Sequence, residues 1–441
     1  MLKTPLKAHV FVALLLGVLV VAGYGIIVNL GFVSDDYAII RLITLPEAAL
    51  NWNSVLNDFY TEHLKGIPLY RPLYTLSYGV DFALWGTWPL PYHLLNLALH
   101  LASSFFVYLL ALELVPGERR WEVAVTAGAL FALQPVHPEA VTWIAGRVDT
   151  ICAVFYFPAL FFFLRWLRTE ERRHLILSLA SFVLALASKE MAVILPALLF
   201  LIVLYQRRSL VGTLLKSAPF VVVFAVYLAF RTYILWGLKP YAAIGKKLQI
   251  FDSIVGTSYR TLHMFFPLNF GLLPGGWQGF GEVVMVLIAV ALAALTFVAY
   301  RRGWIEGWFT LLILALYTVS LAPVFKALKP DPMFTGSRWL YIPSAFLCIF
   351  IAYLLWSALG GRARWAWVGS AAVCAVFLVV LLANQMPWLR AAEISERHLK
   401  TGEDPGLNLK YDGVHVFGAR ITWLSANMPP FKEQQNSPKS P

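Results

Sequence analysis

The sequence predicts an all-α polytopic membrane protein with about eleven transmembrane helices, and three observations carry that expectation. Of its 441 residues, 59% are hydrophobic and only 13% charged, about half the charged share of a soluble domain. The apolar residues fall in long runs. Lysine and arginine gather mainly in the short connections between those runs, the pattern that fixes membrane topology.

The formal net charge of +11 would suggest nucleic acid in a soluble protein. Confined to loops of a polytopic chain it reads as topology, and nucleic acid is excluded as a partner. Sixteen Trp and nineteen Tyr suit many interfacial belts. The three cysteines, Cys152, Cys348 and Cys374, lie inside apolar runs and offer neither a disulfide framework nor a zinc spacing.

The first span covers residues 10–30. It is too long for a signal-peptide core, and no clear small-residue cleavage site follows it. Lys3 and Lys7 before it place the N-terminus in the cytoplasm. An extracytoplasmic loop, residues 31–91, follows, and pieces such as 48–60 suit amphipathic helices on the membrane surface. The second span, 92–115, returns to Arg119 and Arg120, and the third, 123–133, is stopped by Pro135 and Pro138. The fourth follows Arg147 and Asp149 and ends at Arg165, Arg168, Arg172 and Arg173, the strongest cytoplasmic marker.

Spans five and six, 174–187 and 191–205, form a pair turning at Ser188-Lys189-Glu190. Arg207, Arg208 and Lys216 then precede span seven, 219–238. Residues 254–273 are apolar but hold Arg260, His263, Pro267 and Asn269; they read as an interfacial or re-entrant segment with no net crossing. Runs at 283–300, 304–324, 339–359 and 365–382 complete the set and leave the C-terminus outside. The expected division is a transmembrane domain, 1–382, and a short polar extracytoplasmic tail, 383–441, disordered at its end.

On this topology the unusual polar groups fall on the outer side. Asp35 and Asp36 follow the first span, where carboxylates are costly in hydrocarbon and useful at the rim of a pocket. Neighbours in sequence point apart on a helix, so they do not form a shared-proton dyad. One is expected to face a pocket as a base with a raised pKa, the other to orient an amide or a metal. The competing reading is a helix N-cap at Ser34 or Asp35 with a dipole-favoured acid beside it.

His93, Asn96 and His100 share one helix face, as a polar cavity stripe or as interhelical hydrogen bonds. His137 and Glu139 flank Pro138; two candidate ligands without a third leave the metal unknown, with a divalent ion left open and no other cofactor expected. Arg71, Arg147, Lys189, Arg231 and Arg338, the last in the cluster that ends at Tyr341, could clamp a phosphate. Snorkelling is the alternative for Lys189 and Arg231, and Lys189 and Glu190 could instead pair with each other or with Asp149. The cavity-lining set is His93, His137, Asp149 and Glu190. No nucleotide-cradling loop or soluble lobe is present, which argues against a sugar-nucleotide donor.

Taken in order, several segments carry a resemblance. They are Phe32-Val33-Ser34-Asp35-Asp36, Tyr70-Arg71-Pro72-Leu73, Pro91-Tyr92-His93-Leu94-Leu95-Asn96 with His100, and Leu130 through Val141 with Gln134-Pro135-Val136-His137-Pro138-Glu139. Gly146-Arg147-Val148-Asp149, Ser188-Lys189-Glu190 and Arg338-Trp339-Leu340-Tyr341-Ile342-Pro343-Ser344 complete the set. Residues 32–344 resemble the transmembrane and tetratricopeptide-repeat O-mannosyltransferases and their bacterial relatives, within the GT-C superfamily.

The resemblance implies a GT-C fold, a polyprenyl-phosphate-linked sugar donor and inverting transfer on the outer face. It implies catalytic roles for Asp35 and Asp36 and, as the second-loop acid, for Glu139. Relatives usually continue into tetratricopeptide repeats, of which Trp388, Glu393 and Asp404-Pro405 look like an undeveloped start.

The expected function is a membrane glycosyltransferase that moves a sugar, mannose-like or another hexose, to an acceptor hydroxyl. The donor phosphate would meet Arg71, Arg147, Lys189, Arg338 and Tyr341. Its partners are the lipid-linked donor, the bilayer and an acceptor protein or glycan. The expected location is the inner (cytoplasmic) membrane, with the site facing the periplasm or exterior. A transporter or lipid flippase using the same cavity is the alternative, although no paired halves are visible.

Overall fold

The first apolar run forms α1, Leu6–Tyr24, and a 3-10 turn, Gly25–Asn29, extends it to the point where the chain turns away. The computed structural model describes residues 5–63, 69–206, 209–237, 250–359, 362–401, 409–411, 414–416 and 431. Lys3, Arg207, Arg208, Asp404-Pro405 and the tail end at 434–441 lie outside them.

The first loop folds into α2 (Asp35–Leu42), α3 (Trp52–Asn57) and α4 (Pro72–Trp85). Pro72 opens α4, where its missing N–H leaves no bond unmade. The long α5 (Pro89–Leu114) leads to α6 (Arg120–Ala132), which stops ahead of Pro135. A single helical turn, α7 (Pro138–Val141), follows and packs against the start of α8 (Arg147–Thr169). Gly146 permits that approach, because a Cβ there would sit 2.0 Å from the Glu139 carbonyl oxygen.

Next come α9 (Arg172–Ser188), α10 (Leu195–Tyr205), α11 (Leu210–Ile234) and α12 (Ile250–His263). Three long helices, α13 (Gln278–Arg301), α14 (Gly307–Ser320) and α15 (Tyr341–Ala358), precede α16 (Ala363–Thr401). An antiparallel hairpin, β1 (Leu409–Tyr411) with β2 (Val414–Val416), is the one sheet among the described residues.

Among the described residues the fold is all-α apart from that hairpin, and eight helices are long and apolar enough to cross a membrane. Large apolar side chains such as Leu14, Val18, Val286, Leu287, Val290 and Val379 are exposed on them. A soluble surface does not tolerate that much exposed apolar area, but a bilayer does.

Three of the eleven expected spans fall short. The α6, α9 and α10 helices have 13, 17 and 11 residues, against the roughly 20 needed to cross hydrocarbon alone. The α12 helix has 14 residues and is likewise short of a crossing. Another difference concerns the C-terminal end. The α16 helix has 39 residues and runs unbroken past 382 to Thr401, a length of about 58 Å. Its second half is tied to the body: Asn384 Nδ2 donates to the Pro135 and Pro267 carbonyls at 2.8 and 2.6 Å, and Gln385 Nε2 donates to the Gly23 carbonyl at 2.6 Å.

Candidate active site

Backbone strain and three hydrogen bonds set the two aspartates. Ser34 precedes α2 with φ +56°, a conformation disfavoured for a residue with a Cβ. Asp36 holds it there. Its Oδ2 accepts from Val33 N at 2.9 Å, and its Oδ1 accepts from Ala145 N at 2.8 Å and from the Tyr78 hydroxyl at 3.2 Å. Trp143 Nε1 donates to the Val33 carbonyl at 3.0 Å. The first loop is thereby stitched to the 143–145 turn, and Asp36 is 1% exposed. Burial pushes its carboxyl up to about 7, the Asp35 charge adds to the rise, and the three donors oppose it.

Asp35 instead lines a cavity of about 490 Å³. Burial raises its pKa as well, opposed by the Arg338 charge and the Ser34 hydroxyl. Glu139 and Trp143 form another part of the wall, Arg338 and Trp339 a third, and Asn384 and Trp388 of α16 a fourth. Arg338 Nη1 lies 3.3 Å from Glu139 Oε1, while Glu139 Oε2 accepts from the Ser337 hydroxyl and Arg338 N at 3.3 and 3.2 Å. The guanidinium of Arg338 sits 5.0 Å from the Trp143 ring centre, and the Trp143 and Trp388 rings stack at 5.7 Å.

Arg260 enters from α12, which is seated close to the following loop: a Cβ on Gly256 would lie 2.1 Å from the Leu328 carbonyl oxygen. Its Nε and Nη2 donate to the carbonyls of Lys329 and Thr335 at 2.8 and 2.6 Å, and Asp331 lies 3.6 Å away. Its Nη1 is buried and has no partner among the described residues. A buried N–H⁺ without an acceptor is costly.

Two of the carboxylates on the cavity wall are already engaged. Beside Glu139 and Asp331 the cationic positions are taken by Arg338 and Arg260. His137, the other ligand considered from sequence, faces Ser344, its Nε2 2.8 Å from the Ser344 hydroxyl. Among the described residues no group of three His, Cys, Asp or Glu could hold a metal.

No family model matches the chain. Curated relatives do. The Drosophila melanogaster protein O-mannosyl-transferase Tmtc1 is 36% identical over 174 residues, covering 37% of this chain and 19% of the fly protein. The human protein O-mannosyl-transferase TMTC3 is 26% identical over 377 residues, 73% of this chain and 40% of its own length. The chain is similar to part of each of these protein O-mannosyl-transferases. It spans less than half the length of either one.

Two solved structures are also similar. An Archaeoglobus fulgidus oligosaccharyltransferase, tethered to an acceptor peptide, has a TM-score of 0.47 at 13% identity, over 90% of this chain and 57% of that one. ArnT from Cupriavidus metallidurans, bound to undecaprenyl phosphate, has a TM-score of 0.44 at 15% identity, over 95% and 75%.

The structure brings Asp35, Glu139 and Arg338 to one cavity and places the other sequence-nominated residues elsewhere. Arg147 donates to Asp81 Oδ2, Asn96 Oδ1 and the Tyr92 carbonyl at 2.5, 2.9 and 2.9 Å, its guanidinium over the rings of Tyr78 and Tyr92. Lys189 lies 2.5 Å from Asp149, both fully buried, the pairing considered from sequence. Arg71 grips both oxygens of Glu190 at 2.5 and 3.2 Å. The Tyr341 hydroxyl is 2.7 Å from His100 Nδ1 inside the bundle, and His93 is buried nearby on α5. Of the additional wall residues, Arg260 and Asn269 stood in the segment that read as ambiguous, and Asn384 and Trp388 beyond the end of the last apolar run.

Proposed function

We propose that this chain is a membrane glycosyltransferase that moves a sugar, mannose-like or another hexose, from a polyprenyl-phosphate donor to an acceptor hydroxyl with inversion. The observation that carries the reading is one cavity lined both by an activatable carboxylate, Asp35, and by the guanidinium-bearing side chains of Arg260 and Arg338. The names of the curated relatives support it, and nothing among them favours a transporter.

Asp35 takes the proton of the acceptor hydroxyl as its oxygen attacks the anomeric carbon. The bond from that carbon to the phosphate oxygen breaks, and the lipid phosphate leaves with the electron pair. Arg260 Nη1 and Arg338 meet the charge that develops there. Glu139 holds Arg338 in place rather than touching the sugar, and the Trp143–Trp388 stack offers the flat apolar wall a pyranose ring needs. Asp36 is a positioning residue: it fixes the strained turn that aims Asp35. Arg71, Arg147 and Lys189 act as internal ties, not phosphate ligands. The lysine and arginine distribution supports a cavity on the outer face of a cytoplasmic membrane, where a lipid-borne donor enters sideways and needs no soluble nucleotide-binding lobe. The acceptor, a protein or a glycan, approaches from solvent.

The test uses purified protein in lipid nanodiscs with labelled polyprenyl-phosphate mannose and hydroxyl acceptors. The expected result is free polyprenyl phosphate matched one-to-one by glycosylated acceptor. Label that crosses the bilayer still attached to its lipid would contradict the reading.

A further inference from the structure

A second cavity, of about 480 Å³, lies at the other end of the helix pair that frames the first. The α6 and α15 helices run antiparallel: Trp356 Nε1 donates to Thr126 Oγ1 at 3.0 Å near one end, and Gln134 approaches Cys348 near the other. Arg338 of the first cavity, in the 3-10 turn that leads into α15, and Trp356 of the second, near the end of α15, are separated by about 27 Å. That is close to the thickness of a hydrocarbon core, so the second cavity sits at the opposite membrane interface, among lipid headgroups.

Its walls carry both signs of charge and an aromatic lining. Glu118 and Arg119 come from the turn before α6, Trp304 and Glu306 from the turn before α14, and Tyr353 and Trp356 from α15. Arg119 Nη1 is enclosed and has no partner among the described residues. Its guanidinium carbon lies 5.9 Å from the Trp356 ring centre. The Glu306 carboxylate accepts from the Tyr205 hydroxyl at 3.3 and 3.5 Å. Among the described residues neither Glu118 nor Glu306 has an ion-pair partner.

We propose that this cavity binds the headgroup of a zwitterionic phospholipid bearing a primary ammonium, of the phosphatidylethanolamine class. Its phosphate meets the free Arg119 Nη1. Its ammonium donates to Glu306 and Glu118. The two carboxylates on the lining favour a headgroup that brings its own ammonium over one that carries the phosphate alone. A quaternary choline has no N–H to give the carboxylates and is held less well. Nothing in this inference depends on the chemistry in the first cavity.

The experiment embeds the full chain in nanodiscs of equal phosphatidylethanolamine, phosphatidylcholine and phosphatidylglycerol, strips loosely held lipid and weighs what remains by native mass spectrometry. Phosphatidylethanolamine is expected to be retained at least about tenfold over the other two, the equivalent of one charged hydrogen bond. Arg119→Gln and Glu306→Gln should each remove most of that preference. Glu118→Gln, on an exposed side chain, tests the same site without threatening the fold. Equal retention of the three lipids overturns the proposal. So does preference for choline or glycerol headgroups, or three variants that bind as the unmodified chain does.

Discussion

Two sets of charges sit within the same helical body and differ in one respect. In the ties beneath the candidate active site, Arg147–Asp81, Lys189–Asp149 and Arg71–Glu190, each cation faces a carboxylate at 2.5 Å. In the cavity, Asp35 is left facing open space and Arg260 keeps one nitrogen without an acceptor. Burial alone does not mark function, since the ties are as buried as anything in the chain. What marks it is a set of charged side chains that line an open cavity instead of being closed face to face in a tight pair. The ties fix α4, α8 and the turn at Glu190 against one another, and this rigid block carries the 143–145 turn to which Asp36 anchors α2.

The comparison breaks most clearly at Asp35. Asp35→Asn should slow sugar transfer by about 10²–10⁴-fold, the usual contribution of a positioned base, with unchanged thermal unfolding. Removing one half of a tie should do the reverse. Lys189→Met leaves Asp149 buried and unpaired, and is expected to lower stability by about 3–5 kcal/mol. Adding Asp149→Leu to the same chain should restore much of that loss, because a matched apolar pair replaces a matched ionic one. Denaturant-dependent unfolding of the single and double variants in detergent checks both. If Lys189→Met were as stable as the unmodified chain yet inactive, Lys189 would be part of the site and the distinction between the two sets would fail.

Arg260→Gln should reduce transfer by about 10²-fold through loss of one preorganised donor to the leaving phosphate. The turnover number should fall more than the donor KM rises. The last effect is one of pH and concerns Asp36. Its folded pKa, raised to about 7, lies above its unfolded value, so the folded chain binds the proton more tightly. Stability therefore falls as pH rises from about 4 to about 7 and levels off beyond. Melting temperatures across that range should show the slope, and Asp36→Asn should flatten it.

Much of this arrangement was legible in the sequence. Apolar run lengths located the long helices, and the polar groups at their outer ends included Asp35, Glu139 and Arg338, which line one cavity. The division of labour between the aspartates also followed from local geometry, since adjacent helical residues must point apart. What escaped notice has physical reasons. Arg260 sits in a segment whose prolines and polar residues spoil any hydropathy signal, and its role depends on carbonyls of residues 329 and 335, remote in the chain. Asn384 and Trp388 follow the point where the apolar run ends but the helix does not, because α16 is held there by hydrogen bonds to distant carbonyls rather than by lipid. Arg71 and Arg147 looked available for phosphate because an ion pair between remote segments leaves no trace in either one, whereas for Lys189 the pairing with Asp149 was already an alternative.

The most direct test is the pH dependence of kcat/KM for the unmodified chain and for Asp35→Asn, with labelled polyprenyl-phosphate mannose and protein confirmed as inserted. If Asp35 is the base, the rate of the unmodified chain climbs tenfold per pH unit below a raised carboxyl pKa and then reaches a plateau. The variant stays low and flat. A variant that keeps the same rising limb and a near-normal plateau would show that another group removes the proton, and would contradict the account.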